Sequence, residues 1–171
     1  MIEAIADRWA QSLKNAVPEH PSSTAVIKFA LTILIEALLT LIVAVTVALF
    51  TGQVGNTLIV LFSFAILRAV SGGYHFKSAM TCVIATTIAS NILAFSEFNP
   101  TTVLILNVIS LILVAVYAPS KIEKQTRIKP KYYPMLKLIS ILIVCSNFIF
   151  MSPVLAAAFT LQAVSLIRKR R

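Results

Sequence analysis

Apolar residues fall along the chain in seven stretches, and the first is patterned differently from the rest. Between residues 2 and 17 they stand at Ile2, Ile5, Ala6, Trp9, Leu13 and Val17, one face of a helix, with Glu3, Asp7, Arg8 and Lys14 elsewhere. Pro18 ends the pattern. Such a helix either lies in a membrane surface with Trp9 at headgroup level or packs on other protein. The six later runs, 29–50, 54–67, 79–95, 101–118, 135–151 and 153–167, are apolar on every face. The first of them carries one charge, Glu36, and is long enough to cross a hydrocarbon core of about 30 Å at about 1.5 Å per residue. The last two are shorter than a usual span, so they stand nearly upright, thin the bilayer locally or form a re-entrant pair. The pattern predicts an all-α polytopic membrane protein. It has about six transmembrane helices and an N-terminal amphipathic interfacial helix, in a single domain over 1–171 with 1–27 as the interfacial helix and its loop.

Composition points the same way. Apolar residues make up 58% of the 171 and charged residues 12%, about half the globular average. The mean hydropathy is +0.91. A soluble domain of this size could not hide so much apolar surface. Residues 1–27 carry charges of both signs and two prolines, which is not the make-up of a signal peptide. The net charge of +9 raises nucleic acid as a partner, but the arrangement of the charge argues against it. With six spans, all 15 Lys and Arg fall on one side: before the first span, around residues 68–77, in the segment 120–137, and at the C-terminus; a four-span arrangement that removes a pair of spans stays open. The positive-inside rule then makes this a multi-pass protein of the cell membrane with both termini cytoplasmic. The same charges suit anionic lipid headgroups.

The stretch 68–82 interrupts this apolar chain. It holds His75, one of two histidines, Cys82, one of two cysteines, and Gly72-Gly73, half of the four glycines. A cysteine nucleophile acts as its thiolate, and a free thiol near pKa ~8.5 is mostly protonated at neutral pH. His75 can take the proton. Ser78 is an N-cap candidate for the third span, which would put Cys82 in its first turns, where the helix dipole favours an anion. Arg68 and Lys77 add positive potential. In one continuous helix residues 75 and 82 would lie about 10.5 Å apart, too far for direct contact, so the chain must turn between them. The glycine pair offers the freedom for that turn, and nearby amides could form an oxyanion hole. Glu36, an acid inside a span, is a functional candidate by position. Pairing with Arg68 is the preferred reading, while pairing with His75 would make Glu36 the group that orients the histidine. Cys145 lies among apolar neighbours and reads as a core residue. Two cysteines so far apart provide neither a disulfide framework nor metal-ligand spacing, and no cofactor is expected. A histidine and a cysteine at this spacing also fit a plain loop and an inert thiol.

Arg68-Ala-Val-Ser-Gly-Gly-Tyr-His75, with Cys82 seven residues on, resembles the signature of the AgrB family, bacterial membrane peptidases that process quorum-sensing pro-peptides. Chain length, hydropathy, the basic segment between the fourth and fifth spans and the basic C-terminus fit as well. The resemblance implies a cysteine endopeptidase with His75 and Cys82 as catalytic pair, acting on an AgrD-like precursor. It also implies an acyl thioester on Cys82, resolved by an internal nucleophile into a thiolactone or lactone. Lys121, Lys124, Arg127, Lys129 and Lys131 are then candidates to hold the precursor's acidic tail, or simply set topology. Six small spans enclose little, which points to a homodimer. The competing readings are a small transporter and a membrane scaffold without catalysis.

Overall fold

A computed structural model of the chain describes residues 2–19, 21–74, 76, 78–120 and 129–167. Each apolar run is a helix: α1 (Ile2–Ala16), α2 (Thr24–Thr51), α3 (Val54–Ser71), α4 (Ala79–Leu93), α5 (Pro100–Tyr117), α6 (Tyr133–Phe150) and α7 (Pro153–Ser165). No strand occurs among the described residues, and the chain is an all-α membrane protein. By length and composition α2, α3, α5 and α6 can each cross a membrane, α6 being counted with the 3-10 turn Pro130–Tyr132 that leads into it. The helices α4 and α7 are apolar but shorter.

Local chemistry sets the ends. Gly52, in the left-handed region at φ 71°, closes α2 with its amide on the Ala48 carbonyl. Asn99 caps α5 by accepting from the Thr102 amide at 2.8 Å, and Pro100 follows where no N–H is needed. Ser152 caps α7 in the same way, ahead of Pro153. Pro134 sits in the first turn of α6, so it starts the helix instead of breaking it. The sixth helix of the chain is therefore longer than its apolar run suggests.

Small residues let the helices approach. Thr40, Ala44 and Ala48, one face of α2, are buried where α2 packs on α4, and Asn91 of α4 donates to the Ala44 carbonyl at 3.3 Å. The centre of the bundle is α7. Its Phe159 and Ala163 and the following Leu166 are buried against Leu67 of α3, Val114 of α5 and Val144 of α6. At one end, Asn107, Asn147 and Ser152 link α5, α6 and the start of α7 through bonds of 2.9–3.2 Å. At the opposite end the C-termini of α3 and α7, the N-termini of α1 and α4, and Ser120 converge.

The single apolar face read from the sequence of the first helix divides in the fold. Ile2, Ala6 and Ala10 are buried, with α1 packed along α2, and Lys28 of α2 pairs with Asp7 at 2.8 Å. Ile5, Trp9, Leu13 and Val17 face outward.

Candidate active site

The apolar run that ends at Leu67 gives a helix that does not. Helix α3 continues through Arg68 to Ser71. This carries the Arg68 guanidinium over the Phe64 ring, 5.6 Å from its centroid, and lets it donate to the Tyr74 carbonyl. Gly72 then turns the chain out of the helix at φ 72°, and Gly73 follows at φ 128°.

These glycines are not a hinge. The Gly72 amide donates to Arg68 O at 2.9 Å, Gly73 to Ser120 O at 2.9 Å, and Tyr74 to Ser165 O at 3.1 Å. Ser120 N donates back to Ser71 O at 2.9 Å, making a parallel bridge between the loop and the end of α5. From α7, the fully buried Gln162 donates to Ser71 Oγ at 3.0 Å and to Gly72 O at 2.7 Å. A Cβ on Gly72 would lie 2.2 Å from the Ser120 carbonyl oxygen, and one on Gly73 would lie 2.7 Å from Ser165 Oγ. Glycine is needed here for close approach as well as for positive φ. The amides of Gly72, Gly73 and Tyr74, candidates for an oxyanion hole, are thus engaged within the fold.

Cys82 lies four residues into α4, half-buried, with its amide donating to Ser78 O at 3.2 Å. Helix α4 begins only at Ala79. Ser78 stands at the N-cap in extended conformation, but its hydroxyl makes no capping bond. The cap comes from α1: Glu3 Oε1 accepts from the Ala79 amide at 3.1 Å. Hydrogen bonds from its own backbone and from Ala79 hold the Glu3 carboxyl below the usual carboxylate range. No local pattern announces this contact, which joins residues 76 positions apart.

Three polar or charged side chains share a cleft wall with Cys82: Glu36 of α2, Thr86 one turn further along α4, and Arg68 of α3. Glu36 also acts on Arg68 through charge, but no ion pair joins them among the described residues. Thr86 was legible only as a residue four positions beyond the cysteine.

Cys82 borders two apolar clefts. One, of about 430 Å³, runs between α3, α4 and α7 and is lined by Leu61, Phe64, Ala85, Ala89, Leu161 and Val164. The other, of about 860 Å³, lies between α2, α3 and α4 and includes Glu36 and Phe29. Arg68, Tyr74, Phe76 and Thr86 border both. Tyr74 and Phe76 are the chain neighbours of His75 on either side, and their rings meet edge to face at 5.3 Å. His75 itself, with Lys121, Lys124 and Arg127, lies outside the described residues. Lys129 and Lys131 are exposed ahead of α6 and line neither cleft. Cys145 sits half-buried on α6, away from both clefts. Among the described residues no cluster of His, Cys, Asp or Glu could hold a metal ion.

The chain matches the family described as AgrB, Accessory gene regulator B, over residues 6–167. It is also similar to an AgrB-like protein of Halalkalibacterium halodurans, 28% identical over 98 residues. That match covers 57% of this chain and 50% of the relative, so the chain spans about half the length of the curated relative it matches. No solved structure matches.

Proposed function

We propose, for a chain that belongs to the AgrB family, that it is a membrane cysteine endopeptidase acting on an AgrD-like quorum-sensing precursor. One observation carries the reading. Cys82 stands at the start of a helix on the rim of an apolar cleft, and both chain neighbours of His75 line that same cleft. His75 takes the thiol proton and the Cys82 sulfur bonds to the carbonyl carbon at the junction of signal core and acidic tail. The carbon–nitrogen bond breaks, His75 returns the proton to the leaving amine, and the tail departs. The acyl group stays on Cys82 as a thioester. A thiol or hydroxyl of the peptide itself then attacks this thioester, the acyl–sulfur bond to Cys82 breaks, and the nucleophile's proton passes through His75 to the freed Cys82 sulfur as the ring closes.

The surroundings suit these steps. With the Gly72, Gly73 and Tyr74 amides engaged, the oxyanion donor is Arg68, whose guanidinium has five N–H groups and borders the cleft beside Cys82. Glu36 and Thr86 border the larger cleft with Cys82 and place polar groups on its wall. An apolar cleft beginning at the sulfur receives the acyl side chain and keeps bulk water from the thioester, favouring cyclisation over hydrolysis. Lys129 and Lys131, with Lys121, Lys124 and Arg127, hold the acidic tail. The site faces the cytoplasm, where a new precursor arrives at an anionic lipid surface, and the working unit is a homodimer.

The test is co-expression with a tagged AgrD-like peptide. Wild type releases the tail. Cys82→Ser abolishes release, and His75→Ala slows it by about 10²–10⁴-fold, the usual contribution of a general base. An intact peptide with wild type, or normal cleavage by a well-inserted Cys82→Ser, overturns the reading.

A further inference from the structure

We infer that Gln162 is a positioning residue for the His75–Cys82 pair: from the last helix it holds the backbone from which the chain delivers His75. The inference rests on the peptidase reading and extends it to a helix that carries neither catalytic group.

The geometry is specific. Gln162 is fully buried, in a helix whose other buried residues are all apolar. Both hydrogens of its amide nitrogen are used, on Ser71 Oγ at 3.0 Å and Gly72 O at 2.7 Å, and its carbonyl oxygen accepts from Ser165 Oγ at 3.1 Å. Ser71 Oγ in turn donates a hydrogen bond to Leu67 O at 2.7 Å. The carboxamide is thus bonded at both ends, and the two groups it donates to lie at the exit from α3.

Holding α3 to α7 does not require this. Leu67, Phe159, Ala163 and Leu166 already pack those helices together, so an apolar residue at 162 would serve cohesion as well. What the amide adds is direction. It fixes the Gly72 carbonyl three residues before His75, while Ser165 of the same helix accepts from the Tyr74 amide one residue before it. Glycine at 73 lets Gln162 Nε2 come within 3.3 Å of where a Cβ would stand. A histidine that must meet a thiol within hydrogen-bond reach gains from such a grip, since a displacement of about 1 Å can cost about 10²-fold in rate.

The test uses the full chain in a Cys145→Ser background, where Cys82 alone is alkylated. The rate of alkylation by a small neutral reagent is followed against pH, together with tail release. Relative to wild type, His75→Ala lowers the neutral-pH rate and moves the profile. Gln162→Met, close in size but without donors, moves the profile toward that of His75→Ala. It also lowers kcat for tail release by about a hundredfold, with KM little changed. Adding it to His75→Ala costs little more, because both act through one group. If methionine misfolds, Gln162→Glu removes the paired donors at constant shape and is held to the same outcomes. A Gln162→Met profile that coincides with wild type, or losses that multiply in the double variant, overturns the inference. A His75→Ala profile unchanged from wild type instead removes the pairing, and the inference with it, whatever Gln162 does.

Discussion

At the scale of the residue, the site is governed by atoms that are missing: the two Cβ atoms of the glycine pair. Read from the chain, Gly72-Gly73 is a source of freedom. In the fold it is where α3, α7 and the end of α5 come into contact, and each of its amides is bonded. Gly72→Ala would put a Cβ 2.2 Å from a backbone oxygen at a φ of 72°. The neighbour is main chain and cannot swing aside, so strain of about 1–3 kcal/mol is expected. The melting temperature in detergent should fall and tail release should be lost with it. Gly55→Ala, where a Cβ meets nothing within 4 Å, should leave both unchanged or slightly improved. Equal effects of the two substitutions would contradict the account of the pair as a contact. Gln162 escaped the sequence reading for a related reason. One amide in an apolar run looks like any interhelical hydrogen-bonding group until its partners are known.

At the scale of the element, the apolar runs were legible because length and hydropathy alone decide a helix in a bilayer. Boundaries were less so. Arg68 ends an apolar run, yet α3 continues through it because Phe64 and the Tyr74 carbonyl receive its guanidinium. Ser78 is at the N-cap, yet the bond that closes α4 comes from Glu3 on α1. Contacts between distant residues leave no local trace. That cap makes the docking of α1 dependent on pH. The Glu3 carboxyl titrates lower when docked than when free, so its contribution is present above the free value and is lost as pH falls through the docked one. Trp9, exposed on the same helix, can report this by its emission. On acidification below about pH 4 the wild-type signal should shift, whereas Glu3→Gln should be loosened at neutral pH and flat across the range. Matching titrations of the two proteins would remove Glu3 as the cap.

At the scale of the whole molecule, the helices disagree in length. Helix α2 has 28 residues and reaches about 42 Å, while α4 has 15 and α7 has 13, about 22 and 20 Å, against a hydrocarbon core of about 30 Å. The two short helices are those that carry Cys82 and Gln162, and they wall the smaller cleft. A bilayer of ordinary thickness must thin around them while α2 tilts. In vesicles of defined chain length, tail release should therefore be faster in short-chain phosphatidylcholine than in long-chain, with Cys82 alkylation changing in step. A rate indifferent to chain length would mean the mismatch is absorbed away from the site. Cells adjust the length and saturation of their acyl chains as temperature changes. On the peptidase proposal, a site seated on these two short helices would turn warmth or cold into a different output of signal with no change in copy number, so that the count of neighbours it helps a cell to take is corrected for the weather.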